Sequence, residues 1–244
     1  MNKRKLNMEL KGKVAVITGS SGGIGEAIAR DLDQAGAKIV LTGRSEEKLK
    51  RIAVDLQQAA IVTGEITAPA LPAKLMDAAL THFGQLDIFI NNAGVMKIGS
   101  IDEVDIEGLC EMVRINLESV VRCSYHVMRH FKQQNSGYLI NMSSIAGTRS
   151  FPTIGVYNAT KFAVEALSNA LRMEVAGSGI GVAVVEPGTV ETGLYDTWSS
   201  DARKVVGEGI MPSDIARAVR FILEQPDRVR VPRVFMVPYN QQAG

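Results

Sequence analysis

Short β-branched runs alternate with longer amphipathic stretches along nearly the whole chain, a rhythm that predicts parallel strands joined by helices packed on both faces of a sheet. Strands are predicted at 14–18, 38–42, 60–63, 86–90, 138–142, 181–185 and 234–237, and helices at 24–35, 45–58, 69–83, 102–133, 155–177 and 213–224. Ser45 followed by Glu46 and Glu47 reads as an N-cap with acids at the positive end of a helix dipole, and the charges of that helix read as a solvated face. Regular patterning stops between 189 and 212. This segment holds Gly193, Gly207 and Gly209 and ends at Pro212-Ser213-Asp214, a helix start, and a connection that long reads as a substrate lid. With no internal repeat, low-complexity tract or linker, 12–244 is read as one α/β, Rossmann-like doubly wound domain behind a flexible lead-in at 1–11.

Composition narrows the function classes. The 244 residues suffice for one α/β domain with a sizeable core, and 46% hydrophobic against 22% charged residues excludes intrinsic disorder. Lys and Arg total 27 against 26 Asp and Glu, a net charge of +1 that argues against a nucleic-acid surface. Lys3, Arg4 and Lys5 open the chain, but Asn7, Glu9, Lys11 and Lys13 interrupt any signal-peptide core, and no apolar run is long enough to span a membrane. Two cysteines, Cys110 and Cys123, form no disulfide framework or zinc spacing; a reducing, cytoplasmic location is expected. His126 and His130 stand at i and i+4, yet Val127 replaces the Glu of a metalloprotease motif and no third ligand is near, so no metal site is expected.

The first strand runs into Thr18-Gly19-Ser20-Ser21-Gly22-Gly23-Ile24-Gly25 and then a helix, presenting backbone amides at a helix N-terminus to an anion such as a pyrophosphate. Gly19 permits the tight turn, Gly23 a close approach of the backbone to phosphate, and Gly25 close packing of helix on strand. The second strand ends Thr42-Gly43-Arg44-Ser45, with no acid to bond the adenosine ribose. The Arg44 guanidinium suits a 2′-phosphate, so NADP(H) is favoured over NAD(H); Ser20 or Ser21 could add a hydroxyl to the same phosphate.

Tyr157-Asn158-Ala159-Thr160-Lys161 puts a phenol and an ammonium one helical turn apart on one face. A neighbouring Lys⁺ and an oxidised nicotinamide would stabilise the phenolate, letting Tyr157 exchange a proton with an alcohol or carbonyl oxygen while hydride moves. Asn91-Asn92-Ala93-Gly94 follow the fourth strand, Asn116 lies in the long helix, Ser143-Ser144 follow the fifth strand and Pro187-Gly188 the sixth.

With these motifs the chain, over residues 12 to 237, resembles the short-chain dehydrogenase/reductase family. The resemblance implies a seven-stranded parallel sheet of order 3-2-1-4-5-6-7 and a catalytic tetrad of Asn116, Ser144, Tyr157 and Lys161. Ser144 stands the family-like 13 residues before Tyr157 and would hold the substrate oxygen; Asn116 would position a water linking Lys161 to solvent. The same resemblance implies cofactor contacts from Gly19 to Gly25 including Ile24, from Glu65 and Ile66, from Asn92, Ala93 and Gly94, from Tyr157 and Lys161, and from Pro187, Gly188, Val190 and Thr192. Glu65-Ile66 stand where the family has Asp followed by Val or Leu, and the C-terminus lacks a common Gly-Gly ending. That ending resembles members acting on small polar substrates: hydroxy acids, hydroxyamino acids, aldehydes or simple ketones.

Val95, Met96, Ile145, Phe151, Ile154, Tyr195 and Trp198 fall in segments that line family pockets, with ordinary core as the alternative reading for each. Arg149 could grip a substrate carboxylate or simply be a surface arginine. The function expected is an NADP(H)-dependent oxidoreductase interconverting a secondary alcohol and a carbonyl. The alternatives are a 3-oxoacyl thioester reductase and a non-catalytic NADP-binding sensor; the glycine spacing and short C-terminal region argue against a sugar-nucleotide epimerase. The partners expected are a small-molecule substrate and other copies of the chain in a homodimer or homotetramer, not nucleic acid or membrane.

Overall fold

Strands that are apolar on both faces can be stable only if each face is covered, and that requirement organises the molecule. The computed structural model describes residues 9–192 and 209–241. Its strands are β1 (Val14–Ile17), β2 (Lys38–Gly43), β3 (Ala59–Thr63), β4 (Ile88–Asn91), β5 (Gly137–Met142), β6 (Ile180–Pro187) and β7 (Arg233–Met236). All pair in parallel, in the order β3-β2-β1-β4-β5-β6-β7. Every residue of β1, β4 and β6 is buried. The helices are α1 (Gly23–Gln34), α2 (Glu46–Ala53), α3 (Leu71–Phe83), α4 (Ile106–Val113), α5 (Ser119–Gln134), α6 (Gly155–Glu174) and α7 (Pro212–Leu223).

Alternating strand residues feed two cores. Ile17, Ile39, Ile90 and Ile140 pack with Ile28 and Leu32 of α1, Leu49 of α2 and Val219 of α7. Val16, Val40, Phe89 and Leu139 pack on the opposite face with Leu75 of α3, Val127 of α5 and Leu171 of α6. Between β4 and β5 a short polar ladder is buried in this second layer: Asn91 Nδ2 donates to Asn141 Oδ1 (2.8 Å) and Ser124 Oγ (3.1 Å), and Asn141 Nδ2 donates to Ser168 Oγ (2.8 Å). Each amide thus finds partners where an unpaired one would be costly.

Three expectations are corrected. The lead-in expected at 1–11 is packed by residue 10, since Leu10 is buried in the first core and its carbonyl accepts from Lys13 N (3.0 Å); residues 1–8 lie outside those described. The single helix expected at 102–133 begins at Ile106, where Asp105 Oδ2 caps Gly108 N, and is interrupted at Arg114–Glu118 by a π turn. The helix expected to reach 58 ends at Ala53, because Gln57 N is drawn to Asp33 Oδ1 (2.8 Å) and β3 starts two residues later. Residues 193–208 of the expected lid lie outside those described, but its ends run side by side: Glu191 N donates to Ile210 O and Ile210 N to Thr189 O, both at 2.9 Å. Among the described residues no helix is long and apolar enough to cross a membrane.

Candidate active site

Because all seven strands point the same way, the loops after β1, β2, β4, β5 and β6 open on one edge of the sheet, where they surround a cavity of about 1310 Å³. One wall is the glycine turn. Gly19 has φ 66°, and a Cβ there would lie 2.8 Å from Ala93 Cα; a Cβ on Gly25 would lie 2.4 Å from Gly19 O. No larger residue fits either place. Thr18 and Asn92 fasten this turn to the loop after β4: Thr18 Oγ1 accepts from Asn92 N (2.9 Å) and Ala93 N (3.0 Å), and Asn92 Nδ2 donates to Thr18 O (2.9 Å) and Gly19 O (3.2 Å). Among the described residues no side chain caps α1, so its first-turn amides carry the positive helix end to the cavity wall at Gly23 and Ile24.

Ser20 and Ser21, paired in the sequence reading, separate in space. Ser21 lines the cavity, but Ser20 is fully buried, donating to Thr42 O (3.2 Å) and accepting from Thr42 N (2.9 Å). Its hydroxyl is used in joining the turn to β2, and it is not among the residues lining the cavity. Arg44 lines the cavity just after β2, with Lys48 and Arg51 beside it on α2. The sequence alone places these two cations on a solvated face. Their three-residue spacing on a helix capped by Ser45 was the available signal that they share a side. Glu65, Ile66, Asn92, Ala93 and Gly94 line the same half.

The other half gathers Ser144, Tyr157 and Lys161 with Pro187, Gly188, Val190 and Thr192. Ser144 caps a short 3₁₀ turn at Ile145–Gly147, its Oγ accepting from Ala146 N (3.1 Å) and donating to Pro187 O (3.5 Å). Lys161 is buried, donates from Nζ to Met142 O (2.9 Å), and holds that nitrogen 5.5 Å from the centroid of the Tyr157 ring. Burial brings the ammonium down to about 8, with the Glu165 carboxylate opposing the shift. Asn116 sits buried in the π turn. Its Oδ1 accepts from Val95 N and its Nδ2 donates to Val95 O, both at 2.8 Å, and Nδ2 also approaches Thr160 Oγ1 at 3.5 Å. The side chain therefore pins the loop after β4 against α6; it is not part of the cavity lining.

Of the candidate substrate residues, Val95, Met96, Ile145, Phe151 and Ile154 line the cavity, Arg149 does not, and Tyr195 and Trp198 lie outside the described residues. Two further features escaped the sequence reading. Gln241, from the C-terminal segment, accepts from Thr189 N through Oε1 (3.0 Å) and lines the cavity with Asn240. Glu165, one turn beyond Lys161, packs against Glu186, which is fully buried and ion-paired with Arg233. Burial and the neighbouring Glu186 carboxylate push the Glu165 carboxyl from an ordinary 4.5 up to about 7, against a hydrogen bond from Ser143. Two acids separated by 21 positions in sequence give no local pattern to read; only the pairing of α6 with the end of β6 brings them together. Among the described residues no group of three His, Cys, Asp or Glu side chains could hold a metal ion.

This geometry fits an elongated dinucleotide: a helix N-terminus and glycine turn at the centre, three cations at one end, and a buried lysine beside a tyrosine at the other. Residues 13–203 match the model of the short chain dehydrogenase family, and the chain belongs to that family. It is 36% identical over 231 residues to an uncharacterized oxidoreductase of Staphylococcus epidermidis, covering 94% of this chain and 99% of that one. Among solved structures it is similar to the closed form of serine dehydrogenase complexed with NADP⁺, with a TM-score of 0.88 and 26% identity over 94% of this chain and 96% of that one. It is also similar to an alcohol dehydrogenase from the archaeon Thermococcus sibiricus complexed with 5-hydroxy-NADP, with a TM-score of 0.84 and 30% identity over 94% and 98% of the two chains.

The Glu165 environment has a measurable consequence. A carboxyl whose folded value is raised adds stability that is fully present below its unfolded value and is lost as pH rises through about 7. Thermal melts between pH 5 and 8 are expected to show wild type losing stability relative to Glu165→Gln as pH rises, with the difference largest above pH 7. Parallel curves would contradict the raised carboxyl.

Proposed function

We propose that this chain is an NADP(H)-preferring oxidoreductase that interconverts a secondary alcohol and a carbonyl on a small molecule, with Tyr157 as the acid/base. The observation that carries the reading is that Ser144, Tyr157 and Lys161 line the same cavity as the glycine turn and Arg44. A cofactor stretched between the two ends would have Gly19, Ser21, Gly23 and Ile24 at its phosphates, Glu65, Ile66, Asn92, Ala93 and Gly94 along its adenosine side, and Pro187, Gly188, Val190 and Thr192 at its nicotinamide. Bound there, a reduced nicotinamide supplies the hydride that converts the carbonyl carbon to an alcohol carbon. Tyr157 gives its phenolic proton to the carbonyl oxygen in that direction and takes the alcohol proton in the reverse direction. Ser144 holds the same oxygen, so the charge developing on it meets two fixed hydroxyls. Lys161 supplies the positive charge that makes a tyrosine usable near neutral pH, and would hold the nicotinamide ribose of a bound cofactor. Asn116 acts through the wall it fixes, keeping Val95 and Thr160 in register with Lys161 and supporting a water relay from Lys161 to solvent.

Arg44, with Lys48 and Arg51 on the adjoining helix, supports a 2′-phosphate subsite, since three cations converge where an acid would be needed to favour an unphosphorylated ribose. The NADP⁺ complex of the serine dehydrogenase neighbour supports the same preference. Exposed apolar side chains on α5 and α6, among them Tyr125 and Phe162, support a homodimer or homotetramer.

Tyr157→Phe is expected to lower turnover at least a hundredfold, read as nucleotide absorbance, while leaving NADPH binding by fluorescence within about twofold. Retained turnover would remove Tyr157 from the mechanism. Arg44→Asp is expected to weaken NADPH binding at least tenfold and shift selectivity toward NADH. An unchanged NADPH/NADH ratio would contradict the 2′-phosphate assignment.

A further inference from the structure

The cavity has two chemically different ends. Around Arg44 the lining is charged, with Lys48, Arg51 and Glu65 beside it. Beyond Tyr157 the described wall is mainly apolar. Tyr157 itself belongs to a third apolar cluster, built with Met112, Ala146 and Ile154 and backed by Val95, Met96 and Phe151. Met96, Phe151 and Ile154 also face the cavity directly.

Among the described residues the polar side chains lining this half, Ser144, Thr153, Thr189, Asn240 and Gln241 among them, carry no charge apart from Lys161. Thr153 Oγ1 donates to Pro152 O (2.6 Å), and Gln241 Oε1 accepts from Thr189 N (3.0 Å). Lys161 is the sole cation of this half of the lining among the described residues, and its buried Nζ donates to Met142 O (2.9 Å). Arg149, the one residue in the sequence reading suited to a carboxylate, is not among the cavity-lining residues. A substrate carboxylate or ammonium docked against the described residues of this wall would lose hydration without gaining a counter-charge from them, whereas alkyl or aryl groups would gain by burial.

We infer that the substrate is neutral and apolar around its reacting carbon, an alkyl or aryl ketone, aldehyde or diketone, and not a hydroxy acid or a zwitterionic hydroxyamino acid. This rests on the oxidoreductase reading above and names the substrate class of that same site. It departs from both the small polar substrate expected from the C-terminal ending and the serine named for the neighbour at 26% identity. Methionine at position 96 suits such a wall, because an unbranched thioether adapts to apolar shapes of different length.

The test compares binding in matched series. Methyl ketones from 2-butanone to 2-octanone, the 3-oxo acids of the same lengths, and L-serine are titrated into Tyr157→Phe saturated with the cofactor, which keeps the cleft without turnover, and the fluorescence of bound NADPH is followed. For the ketones, binding is expected to tighten by roughly fourfold per added methylene until the cup is full. The matching acids are expected to bind at least tenfold more weakly, and L-serine not detectably at millimolar concentration. Acids that bind as tightly as the ketones, or serine that binds more tightly, would overturn the inference. Met96→Arg should raise acid binding relative to ketone binding at least tenfold, and an unchanged ratio would show that this wall does not face the substrate. Wild-type turnover is measured on the same panel. Ordered ketone binding without any turnover would sustain the apolar site while refuting the oxidoreductase reading, so the two failures are separable.

Discussion

A lysine buried beside a tyrosine is the constraint on which the rest of the site depends. An ammonium removed from water is stable only when its protons have fixed acceptors and its charge has some compensation. Lys161 meets the first need at Met142 O and has the second from Glu165, one helical turn away. Met142 ends β5 and Lys161 lies on α6, so this hydrogen bond also fixes the helix that carries Tyr157 against the strand that delivers Ser144. The placement of the proposed catalytic groups and the packing are therefore the same problem here. The acid pair behind the lysine costs some stability at neutral pH, a price consistent with strain and charge gathering at working sites.

Parallel topology brings the remaining parts to this point. Each strand ends on the same edge, so a turn after β1, a cation after β2, a polar loop after β4, a hydroxyl after β5 and a Pro-Gly after β6 meet without any long excursion of the chain. Local hydrogen bonds then set distances that topology alone leaves loose. Thr18 and Asn92 lock the loop after β4 onto the glycine turn, Ser20 locks that turn onto β2, and Asn116 locks Val95 in place from the π turn. None of these three contacts needs to touch a ligand to matter. They keep the walls of the cavity rigid, as a site built for oriented transfer requires.

Much of this was legible because the signals were local. The strand positions follow from apolar runs, the glycine turn from a strand meeting a helix, and the Tyr157–Lys161 pairing from the pitch of a helix. The sheet order came from the family resemblance and not from periodicity. What escaped the reading depends on contacts between distant segments. Ser20 reads like Ser21 in the sequence, but it is buried on Thr42 of β2 and does not line the cavity. Leu10 looks like part of a loose lead-in because its core partners come later in the chain. The π turn adds one residue within a stretch whose apolar spacing still suits an ordinary helix, so only the backbone hydrogen bonding reveals it. Gln241 reaches Thr189 from 52 residues away, and nothing in its own neighbourhood announces that contact.

The most direct test of the central claim is the pH profile of alcohol oxidation in wild type and in Lys161→Met, using the neutral secondary alcohol that wild type oxidises fastest. If Lys161 charges the site so that Tyr157 can accept a proton, the acid limb of kcat/KM moves upward by about one pH unit or more in the variant while the maximum rate falls. An acid limb at the same pH in both proteins would contradict that account.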